Sequence, residues 1–482
     1  MTDDYQNEEK IRLKKLAEIK EAGINPYPAG FEKKHLVEEI KNSKDGKRLV
    51  TAGRIMTIRE MGKLAFCHIE DVSGRAQIAL KKDVLGDEKF KFFIKKFDMG
   101  DFVGVEGEVF TTHKGEKTLL VKSYELLAKA VLPMPEKFHG LKDEEEKLRK
   151  RYLDMIANPE VRQMFIKKSK YYQAMREFLR GKGFVEVETP ALENTTGGAD
   201  ARPFVTHHNA LDIDVYLRIS AGELWQKRLM VAGFEKTFEM GRVFRNEGMD
   251  VEHLQDYNFM EYYWAYADWN DGMKLTEELV KYIAQEVFNT LKFKIRGFDV
   301  DLDKKWEKYN YRQEVRKQTG VDIEKTSVKE IKKKLQELKV EYEDFDSLER
   351  GIDNLWKYCR RSISGPGYLV YPPKIISPLA KESEDYSGYV ERYNLILAGS
   401  ELCNGYSELN DPIDQEERFK AQAKLREAGD EEAQMHDKEF VEALKHGMPP
   451  TTGLGISERL FSFFMDKSIR ECQIFPLMKP KK

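Results

Sequence analysis

The sequence predicts an α+β chain in which an all-β barrel of five short strands precedes a larger region of hairpin strands and helices. Three observations lead there. Hydropathy alternates in short segments broken by turn residues between Leu49 and about Leu132. Residues 234–248 (FEKTFEMGRVFRNEG) and 252–263 (EHLQDYNFMEYY) alternate again, like the two arms of a hairpin. Elsewhere apolar residues recur at helical spacing, as at Val161, Phe165, Tyr172, Met175 and Leu179.

Composition bounds the function classes. At 482 residues, length suggests about three domains, and a 41% apolar share supports a sizeable core. The net charge of -3 balances 81 basic against 84 acidic residues, so any nucleic-acid contact must be a local patch. The polar N-terminus MTDDYQNEEK predicts no secretory segment, and no apolar run approaches the roughly 18 residues of a membrane span. A cytoplasmic protein without membrane partners is expected. Cys67, Cys359, Cys403 and Cys472 form no CxxC pair, which argues against a zinc knuckle or a disulfide framework.

The elements follow in order. A charged helix at about residues 7 to 22 is stopped by Gly23, Pro26 and Pro28, within an N-terminal extension over 1–48. Segments starting at Leu49, Lys63, Arg75, Asp101 and Lys117, with a helical stretch KFKFFIKKF between the third and fourth, suggest an OB-fold barrel over 49–135. Such barrels present aromatic and polar side chains to single-stranded nucleic acid. A proline-bounded linker over 136–160 leads into a helix ending at Gly181 and Gly183, and FVEVETPAL begins a strand closed by Pro190.

Further on, Gly197 and Gly198 allow close backbone approach to a small ligand. Adjacent His207 and His208 lack a further ligand cluster and read as polar packing. Glu223 opens the helix GELWQKRL, where it could stabilise the helix or meet a substrate ammonium. On the strand of residues 234–248, alternation would put Glu239, Arg245 and Glu247 on one face, either as a structural ion pair or as an anion grip. A lysine- and glutamate-rich helical insertion spans about 303–373. Strands then return with YNLILAGSELCNGYSELND, and TTGLGISERLFSFFM turns from strand to helix at Arg459.

These pieces resemble motifs 1, 2 and 3 of class II aminoacyl-tRNA synthetases, in the family's order. GINPYP, KFHGL, GGADARPFVTHHNALD, YLRI, RNEG, SPLAK, NGYSELNDP and IFPLMKP look like the lysyl members of the subgroup with an N-terminal OB-fold. Class I signatures and the P-loop pattern GxxxxGK[ST] are absent. The resemblance implies a catalytic domain over 161–482 built on an antiparallel sheet flanked by helices. It also implies attachment of L-lysine to tRNA(Lys) through a lysyl-adenylate made from ATP, with Mg²⁺ as cofactor, by a homodimer.

The resemblance also implies roles by residue. Arg245 would grip the α-phosphate and substrate carboxylate, Tyr257 would stack on adenine, and Arg459 would meet the γ-phosphate, with Glu247 and His253 in the ATP shell. Glu223 would receive the α-ammonium of lysine. Glu408 and the Tyr263 hydroxyl would receive the ε-ammonium, with Tyr406 along the stem, Asn404 at the carboxylate end and Glu261 nearby. Glu401 would hold Mg²⁺. In the barrel, Phe66 would stack on an anticodon base while Arg59 and Gln77 read its edges.

This chain departs from the pattern in four places. Asn394 stands where the family's other Mg²⁺-binding acid aligns, motif 3 (GLGISERL) is one residue shorter, and SAGEL is one longer before Glu223. Ser123, beside Glu125, falls near an expected acidic anticodon contact. An aspartyl- or asparaginyl-type enzyme would want a cationic side chain where this chain offers Glu408. A catalytically impaired relative that binds tRNA or a partner is the other alternative.

Overall fold

The computed structural model describes residues 3–134, 143–248, 250–342, 344–427, 429 and 433–481. The KFHGL segment and the start of the expected linker lie outside them, while the rest of the linker forms the helices Glu144–Arg149 and Arg151–Ala157. The chain divides into two compact units, Met1–Ala157 and Asn158–Lys482.

In the first unit a charged helix, Asp3–Glu21, precedes five strands at Arg48–Met61, Leu64–Glu70, Arg75–Lys81, Phe102–Thr111 and Lys117–Ala128. The first strand pairs antiparallel with both the second and the fourth, and the third runs parallel to the fifth, so the pairing closes into a ring. Alternation is strict along Leu64–Glu70, where Ala65, Cys67 and Ile69 point inward with no exposure, and Ile55, Ile78 and Leu119 join them in the same core. An all-β description of this unit fails. Helices Lys82–Leu85 and Asp87–Lys96 lie between the third and fourth strands, and the latter buries Phe90 and Phe93 in the barrel core because those residues sit one turn apart.

The second unit is built on a nine-stranded sheet. Its order is Glu307–Asn310, Gly367–Val370, Arg392–Leu397, Cys403–Ser407, Thr451–Ser457, Asp256–Ala265, Lys236–Phe244 and Val185–Glu186, with Ser400–Glu401 pairing off Arg392–Leu397. The expected antiparallel sheet is in fact mixed. Val185–Glu186 runs parallel to Lys236–Phe244, and Glu307–Asn310 runs parallel to Gly367–Val370. Both exceptions have one cause: a long crossover joins each pair, and a parallel pair needs such a connection. Helices Tyr311–Thr319, Val328–Glu337 and Leu348–Arg360 supply one of these crossovers, so the segment expected as an insertion contributes strands to the sheet at both ends.

One face of the sheet packs on the helices Pro159–Gly181 and Trp269–Ile283. Met260, Tyr262, Leu395, Leu454 and Ile456 meet Tyr171, Met175, Leu279 and Ile283 there in one core. Period two then sends the alternate residues of the same strands to the opposite face, where the site lies. The four cysteines are all free and buried, and burial pushes the Cys67 thiol up to about 12, which leaves it protonated and inert.

Candidate active site

A cavity of about 350 Å³ opens on that second face. Glu261 and Tyr263 on the return strand of the hairpin lie opposite Gly455 and Gly453, which in turn lie opposite Asn404 and Tyr406. The glycines are what make room. A Cβ on Gly455 would stand 2.7 Å from the Phe259 ring, and one on Gly453 would run into Glu408 Oε1. Gly198, at φ +87°, lets the backbone pass the Glu223 side chain, where a Cβ would come within 2.7 Å.

All the residues expected in the catalytic domain line this cavity: Arg245, Glu247, His253, Tyr257 and Arg459 at one end, Glu223, Glu261, Tyr263, Asn404, Tyr406 and Glu408 at the other, with Asn394 and Glu401 on the strands Arg392–Leu397 and Ser400–Glu401. The details differ from the sequence reading. The strand ends at Phe244, so Arg245 and Glu247 sit on the loop beyond it, while Glu239 pairs with Arg218 and accepts from Thr189. Arg245 is instead held by a hydrogen bond from Nε to Ile219 O (3.2 Å), with its guanidinium 5.7 Å from the Tyr257 ring and 5.9 Å from Phe259. That leaves a planar cation beside an aromatic wall, a suitable seat for phosphate and a base.

The shortened motif 3 still delivers its arginine. Thr451–Ser457 passes through Glu458 directly into the helix Arg459–Phe464, and Arg459 Nη2 donates to Glu401 O (3.0 Å) and Glu252 Oε2 (2.6 Å). Its Nε has no hydrogen-bond partner among the described residues. Glu252 also pairs with Arg296 and accepts from Ser400. His253 bonds Asp250 (2.8 Å) at the rim.

At the other end three carboxyls converge. Glu223 Oε1 pairs with Lys227 Nζ (2.8 Å) and accepts from the Tyr406 hydroxyl. Glu261 accepts from Ala221 N (3.0 Å) and the Tyr263 hydroxyl (3.3 Å); burial, reinforced by Glu223, pushes its carboxyl up to about 8. Glu408 is 2% exposed, and burial holds its carboxyl well above the usual range despite Lys227 Nζ at 2.5 Å from Oε2. Neither Glu408 oxygen has a hydrogen-bond partner among the described residues, and the ion pair with Lys227 is made through Oε2, on the side away from Oε1. A buried carboxyl oxygen left open in this way is a receptor for a cation, whose arrival favours the ionised form. Asn404 is oriented by Arg392 Nε (2.7 Å).

Asn394 donates its amide nitrogen to Cys403 O (3.1 Å), which commits that end and leaves its carbonyl oxygen. Glu401 accepts from the Trp356 indole. One carboxylate and one amide oxygen fit a hard cation that also takes phosphate oxygens, and among the described residues no cluster of three or more acidic, histidine or cysteine side chains forms a cage. His207 pairs with Asp214 (3.0 Å) on an exposed strand, as polar packing.

The sequence reading missed Lys227, Glu252 and Arg392. Only Lys227 left a signal, its i,i+4 spacing from Glu223.

In the barrel unit, Arg59 and Phe66 are cross-strand partners, as are Thr57 and His68, and His68 is also opposite Gln77. Phe66 and His68 are two residues apart, so Arg59, Phe66 and Gln77 share one outward face. Gln77 is fixed at both ends of its amide, donating to Glu116 (2.9 Å) and accepting from Thr118 (2.8 Å).

Comparison with known proteins agrees with this geometry. Residues 143–479 match the model for class II tRNA synthetases (D, K and N), and residues 49–127 match that for OB-fold nucleic acid binding domains. The chain is 46% identical over 480 residues to a lysine--tRNA ligase of Fervidobacterium nodosum, covering 98% of this chain and 94% of that one. It is 46% identical to that of Thermotoga maritima (98% and 96%) and 42% identical to that of Bacillus subtilis (99% and 98%). Matches of this extent, over both units and with the cavity in the expected place, mean that the chain belongs to the class II aminoacyl-tRNA synthetases, in the lysyl group that carries an N-terminal OB-fold anticodon domain.

Proposed function

We infer that the chain attaches lysine to tRNA(Lys) at the expense of ATP, through a lysyl-adenylate. The observation that carries this reading is the amino-acid end of the cavity. Glu223 and Glu408 are buried carboxyls joined by the aromatic wall of Tyr263 and Tyr406, which suits a chain with an ammonium at each end and methylenes between. A carboxylate substrate side chain would meet Glu408 and be repelled.

Arg245 is assigned to the lysine carboxylate and the ATP α-phosphate, so that it aligns the two and neutralises charge developing at phosphorus. Tyr257 stacks on adenine, and Arg459 takes the γ-phosphate. Glu247 and His253 complete the nucleotide shell, while Glu261 and Asn404 complete the lysine shell. Glu401 and Asn394 would hold a Mg²⁺ ion brought with ATP, which would supply charge neutralisation on the phosphates. The lysine carboxylate attacks the α-phosphorus and pyrophosphate leaves; a ribose hydroxyl of the terminal tRNA adenosine then takes the lysyl group and releases AMP. No side-chain nucleophile is needed.

Arg59, Phe66 and Gln77 are assigned to the anticodon. The reading places the work in the cytoplasm, and among the described residues no helix is long and apolar enough to cross a membrane. Two copies are proposed to pair through the segment around Val185 and Pro190; Val185, half exposed, lies on the last strand of the sheet. Sedimentation at twice the 56.2 kDa chain mass tests that assembly. The function itself is tested by charging a tRNA(Lys) transcript with labelled lysine: ATP-dependent transfer is expected, and transfer that ignores the anticodon would contradict the assigned role of the barrel.

A further inference from the structure

An ammonium group of the chain already stands against two of the carboxyls that line the amino-acid end of the cavity. Lys227 stands one turn after Glu223 on the helix Glu223–Val231, and its side chain is buried beneath the site with no exposure. Its Nζ lies 2.8 Å from Glu223 Oε1 and 2.5 Å from Glu408 Oε2. It also stands over three aromatic rings, 5.9 Å from the centre of Tyr263, 5.5 Å from Tyr406 and 5.9 Å from Phe440. This is a complete cation site of two carboxylates and an aromatic cage, filled by a residue of the chain itself.

We propose that Lys227 is a positioning residue for substrate lysine, a resident counter-cation that ties Glu223 to Glu408 and leaves one oxygen of Glu408 free for the substrate ammonium. The proposal rests on the lysine reading of the cavity. Two features support it beyond the contacts. Glu408 divides its oxygens by charge: the ion pair with Lys227 is made through Oε2, and neither oxygen has a hydrogen-bond partner among the described residues although the whole side chain is buried. The site also holds three carboxyls, Glu223, Glu261 and Glu408, whereas lysine brings two ammonium groups. Without Lys227 one buried carboxyl would have no cation, and it would take up a proton or turn away. Burial disfavours the Lys227 ammonium, yet Glu223 and Glu408 outweigh it and hold the group in its charged form. Lys227 therefore acts through the two carboxylates and touches neither ATP nor the reacting carboxylate.

A purely structural ion pair would be indifferent to which substrate is varied; a positioning cation is not. The experiment is lysine-dependent ATP–pyrophosphate exchange by the full chain in three forms: unchanged, Lys227→Met and Lys227→Ala. Lys227→Met keeps the volume of the stem and removes the charge. It is expected to raise the KM for lysine about tenfold or more while leaving that for ATP within about twofold. Lys227→Ala leaves a channel the shape of the lost propylamine group, so added n-propylamine should restore lysine KM toward that of the unchanged enzyme and propan-1-ol should not. An unaltered lysine KM in Lys227→Met overturns the proposal. So does an equal loss for both substrates in both variants with no rescue by the amine, which would make Lys227 a residue of the fold. Absence of lysine-dependent exchange in the unchanged enzyme would instead remove the lysine reading itself, so the two failures are distinguishable.

Discussion

Arg459, assigned to the ATP γ-phosphate, is held by a carboxylate: its Nη2 lies 2.6 Å from Glu252 Oε2, and Glu252 in turn also pairs with Arg296. Glu252 comes from the loop between the two hairpin strands, so the loop and the strand-to-helix turn of motif 3 are tied together across the nucleotide end of the cavity. A phosphate must compete with this carboxylate for the arginine. Glu252→Gln should therefore lower the KM for ATP by a few-fold, on the order of 1 kcal/mol, with lysine KM unchanged. A higher ATP KM in that variant would show that Glu252 holds Arg459 ready for phosphate and does not oppose it.

Glu408→Gln removes the charge while keeping the shape of the side chain. The KM for lysine should rise by about 2–3 kcal/mol equivalent, some tens-fold or more, against little change for ATP, because the nucleotide end shares no contact with Glu408. Michaelis constants for both substrates in pyrophosphate exchange decide it. Equal loss for the two would assign Glu408 to folding.

Burial gives the lysine site a pH dependence. Glu261 is pushed up to about 8, by burial first and Glu223 second, so the free enzyme holds a proton that an arriving ammonium must expel. Lysine KM should accordingly fall as pH rises from 6 towards 8, with ATP KM nearly flat. The stability sign is the opposite: a carboxyl whose folded pKa is raised favours the folded state only while protonated. Ligand-free Tm should thus decline between the ordinary carboxyl pKa and about 8, and saturating lysine should reduce the decline. A flat lysine KM across that range would contradict the assignment.

On the barrel, Phe66→Ala should leave adenylate formation intact and weaken tRNA charging by roughly 1–3 kcal/mol, the worth of one base stack. Its cross-strand partner Arg59 and the fixed amide of Gln77 would remain in place. Unchanged charging kinetics in a folded variant would exclude this face as the anticodon reader.

The sequence made some of this legible for physical reasons. Arg245, Tyr257 and Glu261 stand in or beside strands whose period-two pattern is strong, and the residues that line the cavity cluster in short motifs. Lys227 carries no such mark, because an i,i+4 Glu–Lys pair usually faces solvent. Its burial depends on Glu408, which is far along the chain. Glu252 was invisible for the same reason, since nothing local links it to Arg459. The parallel edges of the sheet escaped detection because Val185–Glu186 and Glu307–Asn310 are too short for a pattern and their direction is set by crossovers. The shortened motif 3 kept Arg459 in the cavity because the strand stops at Ser457 and the turn through Glu458 resets the facing.

The central claim, that the cavity activates lysine, is tested most directly by ATP–pyrophosphate exchange with lysine, aspartate and asparagine in turn, in the unchanged enzyme and in Arg245→Ala. Exchange driven by lysine alone, and reduced on the order of 10²-fold or more in the variant, is the predicted result. Exchange driven by aspartate or asparagine, or near-normal lysine exchange without Arg245, would contradict the account.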